Sequence, residues 1–185
     1  MTTPSPATRR SGRVVVLASG AGSTLAAMLV AQEDPTYPAR VVAVVSDRPS
    51  APALDRARAA GLATAVVVPR DFPDRLAWDA AVVEAVDVFS PDLVVLAGFM
   101  RVLGDPFVER FAGRALNTHP SLLPAFPGAH AVRDALAYGV RLSGCTVHLV
   151  DAGLDSGPVL AQASVPVHDD DDEDTLRARI QQVER

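Results

Sequence analysis

Arg13-Val14-Val15-Val16-Leu17-Ala18 runs straight into Ser19-Gly20-Ala21-Gly22-Ser23-Thr24 and then into Leu25-Ala26-Ala27-Met28-Leu29-Val30. The first six residues form a β-branched apolar block bounded by turn residues, which reads as a parallel strand buried on both faces. The middle six are a glycine-rich turn, and the last six carry apolar residues at helical spacing. Strand, glycine turn and helix in that order aim unpaired backbone N–H groups and the positive end of a helix at one point, where an anion is stabilised. Gly20 and Gly22 let the backbone approach such a ligand, and Ser23 or Thr24 can cap the helix and donate to a phosphate. The turn is neither a full dinucleotide fingerprint nor a Walker loop, since no glycine-lysine pair follows at the required spacing. A tight capped turn without a ligand is the alternative reading.

The same alternation continues along the chain. Arg40 to Ser46 and Ala63 to Val68 read as strands, separated by a helix from Ala51 that ends on Gly61 at its C′ position. Asp74 to Phe89 has helical spacing at Leu76, Ala80, Val83 and Ala85, with Trp78 as a packing residue. Asp92 to Gly98 is a fourth strand, Pro106 to Phe111 a short helix, and Arg114 to Asn117 a fifth strand. A helix is expected from about His130 to Tyr138. From Gly144 the period changes, and Cys145 to Val150 and Val159 to Val167 alternate like half-buried strands. Asp169 to Asp174 reads as a solvated acidic lead into a helix from Thr175, where negative charge suits the N-terminus. The predicted fold class is α/β, a doubly wound, mostly parallel sheet with antiparallel strands in the C-terminal part.

The chain has 185 residues, enough for one domain with a substantial core. Residues 1–12 are expected to be a disordered tail and residues 13–185 a single domain. The last helix reaches Arg185 without a capping glycine, so a further C-terminal segment is expected. A net charge of −5 argues against nucleic acid or an anionic membrane as the main partner. All 17 basic residues are arginine, and the single Cys145, read as a small buried hydrophobe, excludes an internal disulfide. No apolar run reaches the roughly 18 residues of a membrane span, and no signal-peptide pattern follows the N-terminus, so a cytoplasmic location is expected. No metal is expected, the alternative being His168 with its neighbouring carboxylates.

Leu116-Asn117-Thr118-His119-Pro120-Ser121-Leu122-Leu123-Pro124 concentrates polar chemistry behind a short apolar run. Pro120 pushes His119 into extended backbone, so Asn117 and His119 point the same way. An amide donor beside a group that titrates near neutrality suits a carbonyl carbon under attack. A capped turn satisfying its own backbone is the alternative. Asp151-Ala152-Gly153-Leu154-Asp155-Ser156-Gly157-Pro158 is a turn-rich loop long enough to fold Asp155 back onto His119 and stabilise the charged imidazole. Here the alternative is an Asx turn at Asp155. A parallel sheet brings Gly20 to Thr24, Gly98 to Arg101 and Asn117 to His119 to the carboxyl edge, where ligands gather.

Ser19-Gly20-x-Gly22-Ser23, Ala97-Gly98-Phe99-Met100-Arg101, Asn117-x-His119-Pro120-Ser121-Leu122-Leu123-Pro124 and Asp151-x-x-x-Asp155-x-Gly157 occur in this order and at these separations. In these four linked motifs the chain resembles the folate-dependent phosphoribosylglycinamide formyltransferase family, from about Arg13 to its end. The resemblance implies a Rossmann-like formyltransferase fold. It also implies transfer of a formyl group from 10-formyltetrahydrofolate, as co-substrate, to the amine of glycinamide ribonucleotide in purine biosynthesis, without a metal. Asn117, His119 and Asp155 match the catalytic trio. Gly22, Ser23 and Thr24 match the ribonucleotide phosphate site, with Thr24 where the family usually has Asn, and Gln181 and Glu184 match further ribonucleotide contacts. Met100, Arg101, Val102 and Leu103, with Asp151, Ala152, Gly153, Leu154 and Asp155, would line the folate pocket beside Asn117, and Arg75 falls at a folate-contacting arginine. The implied partners are these small molecules alone, in a monomer or homodimer, with no nucleic acid and no membrane. Methionyl-tRNA formyltransferase, a related enzyme, continues from Ser-Leu-Leu-Pro into Arg-Trp-Arg-Gly, where this chain has Ala125-Phe126-Pro127-Gly128. Formyltetrahydrofolate deformylase shares the trio but hydrolyses the formyl group.

Overall fold

The computed structural model describes residues 11–184. Seven strands form one sheet in the order β3-β2-β1-β4-β5-β6-β7. They are β1 (Gly12–Leu17), β2 (Ala39–Ser46), β3 (Ala63–Val66), β4 (Leu93–Leu96), β5 (Ala115–His119), β6 (Leu142–Leu149) and β7 (Val159–Pro166). The first five pair in parallel, β6 runs antiparallel to β5, and β7 runs antiparallel to β6. Six α-helices connect and cover them: α1 (Ser23–Ala31), α2 (Pro52–Ala59), α3 (Arg75–Asp87), α4 (Asp105–Arg110), α5 (Ala131–Tyr138) and α6 (Glu173–Glu184). The expected fold class holds. From β1 the chain steps outward to β2 and β3, then returns to β4 on the other side of β1. Such a reversal opens a crevice at the carboxyl ends of the two central strands.

Both faces of the sheet are buried because β1 alternates between two cores. Val15 and Leu17 join Trp78, Val82 and Val86 of α3 and Phe107 of α4. Val14 and Val16 face the other way, against Leu25 of α1 and Ala53, Leu54 and Ala57 of α2. A third cluster, Val132, Cys145, Val165, Leu176 and Ile180, seats α5 and α6 on the antiparallel strands, and Cys145 is the small buried residue expected.

Several local expectations change. Residues 1–10 of the expected tail lie outside the described residues, and Gly12 already belongs to β1. No side chain caps α1, whose N-cap is Gly22 rather than Ser23 or Thr24. The buried face of α3 is Trp78, Asp79, Val82 and Val86, whereas Leu76 is 65% exposed. This helix is rich in alanine and valine all round, so spacing alone does not choose its face. The Trp78 indole donating to the Val67 carbonyl at 2.9 Å does. The paired strand β5 continues through His119. The outer strand β7 is mostly exposed rather than half-buried. In the acidic run, Asp172 caps α6 by accepting from the Thr175 N–H at 2.8 Å. Asp171 is not solvated: its buried carboxylate takes both terminal nitrogens of Arg179, at 2.6 and 2.8 Å, which hold it well below the usual carboxylate range.

Candidate active site

The crevice forms a cleft of about 340 Å³ walled by the turn after β1, the segment after β4, the end of β5, the loop between β6 and β7, and α6. At its floor, β5 and β6 place Asn117 directly opposite His148 and His119 opposite Thr146. The β6–β7 loop lays Asp155 across this pair. The Asp155 Oδ2 lies 3.3 Å from His119 Nδ1 and accepts from the Gly128 N–H at 2.8 Å. Its Oδ1 accepts from Asn117 Nδ2 at 3.2 Å and lies 3.6 Å from His148 Nε2. His119 Nε2 donates to the Phe126 carbonyl at 2.9 Å, so both of its ring nitrogens face acceptors.

This carboxylate is nearly buried, its side chain 10% exposed. Burial alone raises the Asp155 pKa, but the bond with His148, the Gly128 N–H and the two imidazoles outweigh it, and the net direction is downward. His148 moves the other way: the Asp155 carboxylate beside it raises its pKa against the opposing effect of burial. Two residues that hold His119, Asp155 (φ 52°) and Phe126 (φ 53°), adopt left-handed backbone uncommon outside glycine. Such geometry costs on the order of 1–3 kcal/mol each and persists where surrounding contacts over-determine it. The Asx turn in this loop belongs to Asp151, whose Oδ1 accepts from the Gly153 N–H at 3.0 Å and the Ser156 hydroxyl at 2.9 Å. Asp155 is thereby left free to reach His119.

The glycine turn forms the opposite wall. Gly22 sits at φ 70°, and a Cβ there would lie 2.8 Å from the Ala53 Cβ, so no other residue fits without displacing α2. With no side-chain cap, the first-turn N–H groups of α1 are directed at the cleft. The Thr24 hydroxyl donates to Glu184 Oε1 at 3.0 Å, and the Thr118 hydroxyl donates to the same oxygen at 2.6 Å. A threonine on the first turn of α1 and another on β5 thus hold one carboxylate of α6. Between the two walls lie apolar side chains that the fold leaves exposed, Met100 at 62%, Val102 at 57% and Leu154 at 55%. Their clustering in a cleft marks a ligand surface rather than scattered exposure.

Of the residues singled out from sequence, Gly22, Ser23, Thr24, Met100, Arg101, Val102, Leu103, Asn117, His119, Asp151, Gly153, Leu154, Asp155, Gln181 and Glu184 all line this one cleft. Ala152 and Arg75 do not. Arg75 lies on the first turn of α3, bonded to Asp79 at 3.0 Å, with its guanidinium over the Trp78 ring. Sequence reading missed His148, Thr118 and the Phe126 carbonyl. The alternation of Cys145 to Val150 marks a strand, but nothing local says that its histidine faces Asn117. Among the described residues no group of three His, Cys, Asp or Glu side chains is placed to hold a metal ion, and no helix is long and apolar enough to cross a membrane.

Comparison with known proteins agrees with this geometry. A sequence model of formyl transferases matches residues 12–185. The phosphoribosylglycinamide formyltransferase of Mycobacterium tuberculosis is 57% identical over 179 residues, covering 94% of this chain and 80% of that protein. Its counterpart in Escherichia coli is 47% identical over 168 residues, covering 91% of this chain and 79% of that protein. The crystal structure of glycinamide ribonucleotide transformylase 1 from Symbiobacterium toebii superposes with a TM-score of 0.91 at 47% identity, covering 94% of this chain and 82% of that one. The motifs, the seven-stranded sheet and these relatives lead to one conclusion: the chain belongs to the formyl transferase family.

Proposed function

We propose that this protein is a phosphoribosylglycinamide formyltransferase that moves the formyl group of 10-formyltetrahydrofolate to the glycyl amine of glycinamide ribonucleotide. The observation that carries the reading is the Asp155 carboxylate, set against His119 at 3.3 Å and Asn117 at 3.2 Å on the floor of the cleft. A phosphate-binding turn alone would need none of these three.

Each wall fits one substrate. The uncapped α1 N-terminus and Gly22 suit the ribonucleotide phosphate, and the Oε2 of Glu184, which makes no hydrogen bond among the described residues, suits sugar hydroxyls. The exposed apolar side chains of Met100, Val102 and Leu154 suit a flat heteroaromatic ring, with backbone groups reading its edges. When bound, the formylfolate supplies the carbonyl carbon; all else falls to the protein.

The incoming amine forms a new C–N bond to the formyl carbon, and negative charge develops on the formyl oxygen. Asn117 Nδ2 donates to that oxygen, and His119, whose Nδ1 and Nε2 face Asp155 and the Phe126 carbonyl in this structure, joins it by exchanging one of these partners for the substrate. The bond to the folate nitrogen then breaks, and this nitrogen leaves well only if it gains a proton. His119 delivers one, and the proton lost by the attacking amine restores the balance. Asp155 Oδ2, 3.3 Å from His119 Nδ1, orients the imidazole that gives up the proton, and the ring is neutral once the proton has passed to the folate nitrogen. Fixing both reactants in one crevice contributes much of the remaining acceleration.

The test is to mix the protein with 10-formyltetrahydrofolate and follow the folate absorbance with and without glycinamide ribonucleotide. A change that requires the nucleotide is expected. A change without it would indicate hydrolysis instead, and no change in either case would remove the enzymatic reading.

A further inference from the structure

Met100, Arg101 and Val102 form the exposed stretch of the wall proposed for the folate. Apolar packing fixes only its flanks. Phe99 stacks parallel to the Trp78 ring, 6.4 Å between centroids, and Leu103 is buried in the same core. Residues 99–103 belong to no helix or strand. A loop with so little buried side chain opens readily unless polar contacts hold it.

Two such contacts exist, and they meet in one buried network. The Met100 N–H donates to the Ser19 hydroxyl oxygen at 2.9 Å, and that hydroxyl donates to Asp47 Oδ1 at 2.6 Å. Asp47 Oδ2 accepts from Arg101 Nε at 2.9 Å. Among the described residues these are the only hydrogen bonds that residues 99–103 make. Ser19 follows β1 and Asp47 follows β2, so both are rooted in the central sheet, and both side chains are buried. A buried carboxylate is costly unless paired and hydrogen-bonded. Asp47 therefore draws the Arg101 side chain inward and, through Ser19, the Met100 peptide as well. The hydroxyl is needed because it accepts and donates at once; without it the Met100 N–H and Asp47 Oδ1 both lose their partner.

We propose that Ser19 and Asp47 are positioning residues that hold the folate wall in its binding shape, an inference that rests on the formyl-transfer reading. Neither lines the cleft, so both act through Met100 and Arg101. The network leaves the other N–H and C=O groups of the segment without an internal partner, which suits them to reading the edge of a heteroaromatic ring. It also gives Ser19 a task that the phosphate turn beside it does not require.

The test measures kcat and both KM values for the wild type, Ser19→Ala, Asp47→Ala, the double variant and Asp47→Asn. In each alanine variant KM for 10-formyltetrahydrofolate should rise about tenfold, with kcat and the ribonucleotide KM within about twofold of the wild type. The double variant should be no more than about threefold worse than the worse single one, because both changes break one path. Asp47→Asn, whose amide can still bridge Ser19 and Arg101, should restore most of the loss. An unchanged folate KM, a rise of both KM values together, or single effects that multiply would overturn the proposal. Amide exchange followed by NMR needs no substrate. The Met100 amide should exchange at least about tenfold faster in Ser19→Ala while those of Val15 and Val16 stay unchanged, and equal Met100 exchange in both proteins overturns the proposal. If the wild type transfers no formyl group, the formyl-transfer reading falls by itself. Calorimetric binding of tetrahydrofolate then decides for the wall: about tenfold weaker binding in Ser19→Ala supports the positioning role, and equal or absent binding in both proteins overturns it.

Discussion

The floor and the far wall of the cleft face the same substrates but are held in different ways. On the floor, Asn117, His119 and His148 come from two paired antiparallel strands, and Asp155 is fastened to them by contacts on both oxygens. On the far wall, the turn after β1 offers backbone N–H groups shaped by Gly22, and its side-chain links include Thr24 to Glu184, Ser19 to Asp47 and Arg56 to the Ala21 carbonyl. The groups proposed to transfer protons sit where strand register locks side chains, and a misplacement of about 1 Å costs about a hundredfold in rate. The proposed phosphate site sits on backbone, which tolerates changes of neighbouring side chain. Thr24 stands where the family resemblance gives Asn, and its hydroxyl donates to Glu184 at 3.0 Å.

Substitutions can break this contrast. The largest effect is expected from Asp155→Asn, which keeps the shape but removes the charge that holds His119. Turnover should fall about 10²-fold or more while KM for both substrates moves little. A steady-state comparison in which KM rises and kcat stays would place Asp155 in binding instead. On the far wall the effect should invert. Gly22→Ala forces a Cβ against Ala53 at a positive φ, costing about 2 kcal/mol or more of stability. Its KM for the ribonucleotide should rise at least tenfold, as read by chemical denaturation and initial rates.

A smaller effect tests the link between the regions. Thr118→Val removes the 2.6 Å donor to Glu184 and should raise the ribonucleotide KM about three- to tenfold, with the folate KM unchanged and Thr118→Ser restoring most of it. If both KM values rise together, the loss is general to the fold. The smallest effect concerns pH. The Asp155 pKa is lowered in the folded protein, so its contribution to stability is present above the usual carboxylate value of 3.8 and is lost as pH falls through the lowered one. The His148 pKa is raised, so its contribution is complete below the usual 6.5 and is lost as pH rises through the raised value. Melting curves should therefore show a shallow decline on the alkaline side that His148→Gln abolishes. A decline that persists in this variant must come from another group.

Reading the chain alone goes far on one side of this comparison. Arg13 to Ala18, the glycine turn and the helix after it are contiguous, so periodicity and turn chemistry expose the phosphate wall directly. The floor was legible only in pieces. Asn117 and His119 share a strand and a direction, but Asp155 arrives from a separate loop, and that loop by itself read more readily as an Asx turn. The turn exists, four residues earlier in the chain, at Asp151. His148 left no trace beyond the alternation of its strand, and the buried face of α3 was misjudged because alanine and valine surround it on every side.

Sequence by itself determined the alternation of strands and helices, the two-faced burial of the central strands, the glycine turn before α1 and the motifs that mark the family. These follow from local sterics and side-chain period, which a short window contains. Only the tertiary structure decided that Asn117 lies opposite His148, that Asp155 reaches between the two histidines, and that Thr24 and Thr118 share Glu184. Such contacts depend on the register of distant strands and the seating of α6, which are set by packing of the whole core and leave no local signature.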